Sequence, residues 1–131
     1  MALEERIREA LVAPTGNRER IRASFQAYFD FVDEHAEGFR LLMQETVGSR
    51  ADFRGRVADV RDRILKEVAD LIVRESQGRL DRTEADTVAL ALVGMAETVA
   101  QQGVGASPTE RREALDTLVR LAWRGITGVT E

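Results

Sequence analysis

Apolar residues return every three to four positions through almost the whole chain, and no run alternates with period two. That periodicity marks amphipathic α-helices and argues against half-buried strands. The clearest run is the seam Phe53, Val57, Val60, Ile64, Val68 and Leu71. It advances in steps of four and three, one continuous face of a helix about five turns long. The fold expected is all-α.

The breaks between helices are written in turn chemistry. Leu3, Ile7 and Leu11 place a short amphipathic helix over 3–12, which Ala13-Pro-Thr-Gly-Asn17 ends. Asn17 is expected to cap a second helix running to about Glu34, with Ile21, Phe25, Tyr28, Phe29 and Val32 on one broad stripe. A break at His35–Ala36 precedes a short helix with Phe39, Leu42 and Met43, and Gly48–Ser49 breaks the chain again. The long helix then spans Arg50 to Gln77 and stops at Gly78, with i, i+4 charge pairs Asp59–Arg63, Asp62–Lys66 and Lys66–Asp70 on its other face. Thr83, with Asp86, is expected to cap a fifth helix. Ser107-Pro108-Thr109-Glu110 opens the sixth with a cap, a first-turn proline and a capping-box glutamate. About six helices and a single domain, 1–131, are expected.

Composition narrows what such a bundle does. With 44% hydrophobic and 32% charged residues the chain is globular in type. No apolar run approaches the ~18 residues of a membrane span. No membrane association is expected, and a cytoplasmic location follows as the default. The formal charge is −4, from 19 basic and 23 acidic residues interleaved without a basic block. Phosphate binding needs a positive face, so direct nucleic-acid binding by this chain alone is not expected.

Catalytic and metal chemistry find few candidates. There is no cysteine and one histidine, His35. Its neighbours Asp33 and Glu34 are consecutive on a helix and do not face one ligand, so a cap or loop role fits it better than a metal site. No Ser–His–Asp arrangement or nucleophile elbow is present. Gly103-Val104-Gly105 before a helix could cradle an anion, but with no strand before it the pair reads as a connection. No enzyme, cofactor or metal is expected.

Two apolar features remain. Aromatic residues are only 5% of the chain, yet Phe25, Tyr28, Phe29, Phe31 and Phe39 fall close together. With Met43 and the long-helix seam they form either an ordinary core or the walls of a cavity, and both readings stay open. The second feature is the final helix pair. Val88, Ala89, Leu92, Val93, Met95, Ala96 and Val99 cover more than half their helix, which implies burial on more than one side. Gly94 costs ~1 kcal/mol in a helix interior, easier to understand where another backbone approaches. Leu115, Val119, Trp123 and Ile126 offer a second such surface. Two helices from each of two copies would make an isologous four-helix interface.

The order of parts resembles the C-terminal regulatory domain of TetR-family transcriptional regulators. The likeness is carried by FVDEHAEGFRLL (Phe31–Leu42), where many members have proline at the position of Ala36, by ALVGMAETVAQQ (Ala91–Gln102) and by LVRLAWRGI (Leu118–Ile126). The resemblance implies an effector-binding and dimerisation body. In it, residues 1–12 form the helix linking to a DNA-reading helix-turn-helix head, which this chain is expected to lack, and 83–127 form the dimerisation pair. It implies a homodimer and a small apolar or amphipathic effector, with Phe25, Phe29, Phe39, Met43, Phe53, Val57, Val60 and Ile64 as candidate lining. The dimer contacts expected are Val88, Leu92, Met95, Val99, Leu115, Val119 and Trp123. The competing expectation is a helical dimerisation or protein-interaction module with a solid core and no ligand.

Overall fold

The computed structural model describes residues 3–35 and 51–130, of which 51–57 are described as backbone only. Five α-helices make up these residues, with no strand among them: α1 (Leu3–Val12), α2 (Asn17–Glu34), α3 (Ala51–Glu75), α4 (Arg82–Gln102) and α5 (Pro108–Val129). The short helix expected around Phe39, Leu42 and Met43 lies outside the described residues.

Helix boundaries follow local chemistry, with two corrections at N-termini. Gly16, in extended backbone and with no side-chain cap, precedes α2, and Asn17 is the first helical residue instead of the cap. The Asn17 side chain instead accepts a hydrogen bond from Arg20 at 2.9 Å. At α4 the cap is Asp81, not Thr83. Its carboxylate accepts from the Glu84 amide at 2.8 Å, while Glu84 accepts from the Asp81 amide at 3.1 Å. An aspartate two residues earlier completes the reciprocal box with a glutamate three positions on, which the Thr83–Asp86 pair would do less well. Ser107 and Glu110 form the expected box at α5. Gly78, at φ +85°, provides the left-handed turn that ends the α3 region.

Two packing centres result. Phe25, Phe29 and Val32 of α2 meet Leu92, Ala96 and Ala100 of α4 and Leu115, Leu118, Val119 and Ala122 of α5 in the main core. Ion pairs Arg22–Asp116 (2.8 Å) and Asp33–Arg111 (3.1 Å) show that α2 and α5 run antiparallel. Elsewhere Ala69 of α3 meets Ala85 and Ala89 of α4, small residues that let these helices approach closely. Helix α1 bridges the two halves. Its Ile7 and Leu11 pack on Ile64 of α3, while its backbone lies against both α2 and α3.

The long helix keeps only part of its expected charge ladder. Lys66–Asp70 forms at 3.1 Å, but Arg63 reaches across to Glu4 of α1 at 3.0 Å. Arg8 of α1 likewise pairs with Glu67 at 2.8 Å, and Arg6 with Glu34 of α2 at 2.9 Å. The cationic ends of the Arg8 and Arg63 pairs are half in water, so these pairs orient α1 more than they hold it.

Candidate ligand-binding cavity

Helices α2 and α3 face each other without packing. Among the described residues no Cα of α2 lies within 8 Å of one of α3. Between them is a cavity of about 910 Å³. The floor is α1, through Leu3, Ile7 and Leu11, and the back wall is α4, through Leu92, Val93 and Ala96. Trp123 and Ile126 of α5 close one end.

The lining positions of α2 (Asn17, Arg20, Ile21, Ser24, Phe25, Tyr28, Phe31, His35) step by three and four, one face of the whole helix. At 1.5 Å per residue that face is ~27 Å long, so the space is elongated. Its volume falls within the ~300–1,000 Å³ typical of small-molecule sites. A dry sealed void of this size would cost ~20 kcal/mol at ~24 cal/mol per Å³. That exceeds the ~5–15 kcal/mol by which an entire domain is stable. The space is therefore open to solvent or occupied, and it is not a packing fault.

Polar groups gather in two places on these apolar walls. At one end Arg20 donates to the Ala13 carbonyl at 3.0 Å, to Asn17 at 2.9 Å and to Glu75 at 2.7 Å. The last bond ties the start of α2 to the end of α3 across the gap, next to exposed Arg79. Farther along, Arg61 of α3 clasps Glu97 of α4 with two bonds, Nε to Oε2 at 2.8 Å and Nη2 to Oε1 at 2.9 Å. This hydrogen bonding raises the Arg61 pKa above the ordinary guanidinium value. Tyr28 of α2 lines the cavity with this pair and with Gln101. Burial pushes the Tyr28 hydroxyl above the usual tyrosine range, an effect opposed by Gln101 and reinforced by the Glu97 charge. His35 ends α2, its Nδ1 2.9 Å from the Phe31 carbonyl and its ring stacked on Phe31 at 4.4 Å.

Of the lining expected from sequence, Phe25, Val60 and Ile64 come together on this cavity. Phe29 does not. It is buried in the α2–α4–α5 core, facing Val99 and Ala100. Phe39 and Met43 lie outside the described residues, as do the side chains of Phe53 and Val57. Sequence reasoning missed Leu3, Ile7 and Leu11 as walls, although their spacing of four was visible. It also missed the Arg61–Glu97 pair, whose partners are 36 positions apart.

The expected dimer contacts also need correcting. Val119 is 0% exposed, Leu115 2% and Leu92 8%, all sealed within their own chain. Trp123 lines the cavity, and Val88, Met95 and Val99 are half-buried against the main core. The apolar residues left outside are others: Leu90 is 52% exposed and Leu121 61%. On α4 the outer face reads Thr87, Leu90, Ala91, Gly94, Thr98, without a charge, and on α5 Thr117, Leu121, Gly125 and Gly128 lie beside exposed Arg120 and Arg124. A Cβ at Gly94, Gly125 or Gly128 would meet nothing within 4 Å. The large apolar side chains that α4 and α5 leave to solvent are therefore Leu90, Leu121 and Val129, none of them among the residues expected.

Residues 17–125 match the family model described as the tetracyclin repressor-like C-terminal domain. The chain is also 29% identical over 124 residues to the HTH-type transcriptional activator FasR of Mycolicibacterium smegmatis. That match covers 94% of this chain and 56% of the relative, so the chain spans about half the relative's length. Among the described residues no helix is long and apolar enough to cross a membrane. With most of its length matched, an all-helical fold and a regulator as relative, the chain belongs to the tetracyclin repressor-like C-terminal domain family, regulatory domains and not enzymes.

Proposed function

We propose that this domain binds a small apolar or amphipathic effector between α2 and α3 and passes the occupancy of that site to the DNA-reading part of a transcriptional regulator. The observation that carries the reading is the elongated cavity, too large to be a packing defect and walled on one side by α1. An effector there touches Leu3, Ile7 and Leu11 directly. Helix α1 packs on both α2 and α3 through Ile7 and Leu11, so a ligand that changes how those helices stand changes the placement of α1. An effector changes regulation only by preferring one placement of α1 over another.

The domain also pairs with a second copy of itself. The outer stripe of α4 and α5, with Leu90 and Leu121 exposed, Arg120 and Arg124 at its edge and glycines that permit close approach, supports a four-helix interface about a two-fold axis. Pairing would set the spacing of two α1 helices, the quantity an effector then adjusts.

Native mass spectrometry tests both parts. A dimer retaining a small molecule is expected, and Val68→Phe, which adds a ring at the cavity wall, should reduce the retained adduct while leaving the dimer. A bare monomer, or an adduct unaffected by Val68→Phe, contradicts the reading.

A further inference from the structure

The walls of the cavity carry one polar patch whose charges are already balanced, and this limits what a ligand can present there. Arg61 and Glu97 engage each other through both carboxylate oxygens. Tyr28 and Gln101, which line the same stretch of wall, complete the patch. The surroundings are Leu92, Val93, Ala96 and Ile64, which offer no hydrogen bonds from their side chains.

A carboxylate arriving at this partly buried patch would compete with Glu97 for its guanidinium and bring two like charges together with one cation between them. An ammonium group would do the same to Arg61. Uncompensated charge on apolar walls is strongly disfavoured, whereas an uncharged group need not disturb the pair. The guanidinium has further N–H groups to donate, the carboxylate oxygens have free lone pairs, and Tyr28 and Gln101 add both functions.

Resting on the reading of this space as an effector site, we propose that its ligand carries an uncharged hydrogen-bonding head group, such as a hydroxyl or amide, which meets Tyr28, Arg61, Glu97 and Gln101, and that the Arg61–Glu97 pair discriminates against free acids and amines of the same body. The other polar end does not serve a charged head equally well. Arg20 is already engaged by Ala13, Asn17 and Glu75, and Arg79 is exposed, where charge is screened by water.

Trp123, the chain's single tryptophan, lines the cavity and gives the readout. Its fluorescence is titrated with 1-decanol, decanoate and decylammonium at one pH, on the unmutated chain and on Glu97→Gln, Arg79→Gln and the double variant Arg61→Gln/Glu97→Gln. In the unmutated chain the alcohol binds most tightly. Glu97→Gln leaves Arg61 without its counter-charge and moves the alcohol-to-acid affinity ratio toward the acid by about tenfold or more. The double variant lacks that shift, and Arg79→Gln leaves the ratio unchanged. Because a change of ratio between variants is read, general partitioning of the alcohol into apolar space cancels, and a variant that fails to fold leaves the others to decide. Saturable binding of all three probes with a ratio indifferent to Glu97→Gln, or sensitive instead to Arg79→Gln, overturns the head-group assignment alone. Failure of every probe to perturb Trp123 overturns the effector site with it.

Discussion

Tyr28 is the only tyrosine of the chain, so its titration can be followed by absorbance without ambiguity. Burial raises its pKa in the folded state, so the unfolded chain ionises first as pH rises. The stability tied to Tyr28 is thus complete below the ordinary tyrosine value and is lost as pH climbs through the raised one. Tyr28→Phe should reduce the loss of melting temperature in alkali, and a bound effector should raise the folded-state titration further. At acid pH the sign reverses. Glu34 is held low by Arg6, Asp70 by Arg82 and Lys66, and Glu110 by the Ser107 amide and hydroxyl. What these groups contribute is present at neutral pH and falls away as pH drops through their depressed values. Glu110→Gln should make thermal stability less steep on that limb. Core and cavity separate at this scale too. Phe29→Ala should cost ~3–5 kcal/mol in chemical denaturation, as for a buried ring, and leave effector affinity nearly unchanged. Val60→Ala should do the reverse, weakening binding at little cost to stability.

At the scale of elements, α4 and α5 each carry an apolar face turned inward and exposed apolar residues turned outward. The inward face of α5 holds Leu115, Leu118, Val119 and Ala122, and the outward stripe holds Leu121, Gly125 and Gly128. Period 3.6 makes both visible in the sequence. Which stripe turns inward was not visible there, because the rotation of a helix about its axis is set by the neighbours it packs on. Two substitutions separate the faces. Leu121→Arg should give a folded monomer in light scattering, with a small change in melting temperature. Val119→Arg places a charge in a fully buried position and should prevent folding altogether. The capping boxes were partly legible for a similar reason. Ser107–Glu110 has the right spacing and a proline to mark the first turn. Asp81–Glu84 competes with Thr83–Asp86 two residues on, and only backbone geometry decides between them. Ser107→Ala should cost ~1 kcal/mol, read from denaturant midpoints.

For the whole molecule, the decisive property is the separation of α2 from α3. The apolar faces of both were evident from the sequence, in Ile21, Phe25 and Tyr28 on one side and Val60, Ile64 and Val68 on the other. Whether they touch or stand apart depends on α1 and α4, which prop them from below and behind through Ile7, Leu11, Leu92 and Ala96. A pattern of apolar positions reports which faces are hidden from water, not what lies opposite them, so a filled core and a hollow one have the same signature. The polar patch was illegible for a related reason: Arg61 and Glu97 meet only through the packing of α3 on α4. Since α1 is the floor of the cavity and packs on both α2 and α3, occupancy and the position of α1 should change together. Amide hydrogen exchange along Leu3–Val12, measured with and without a saturating amphiphile such as 1-decanol, tests this most directly. Exchange in α1 should slow or quicken severalfold on binding, with α2 and α3 following, and Val68→Phe should abolish the response. Exchange in α1 that stays the same at saturation, while Trp123 reports a filled site, would contradict the account.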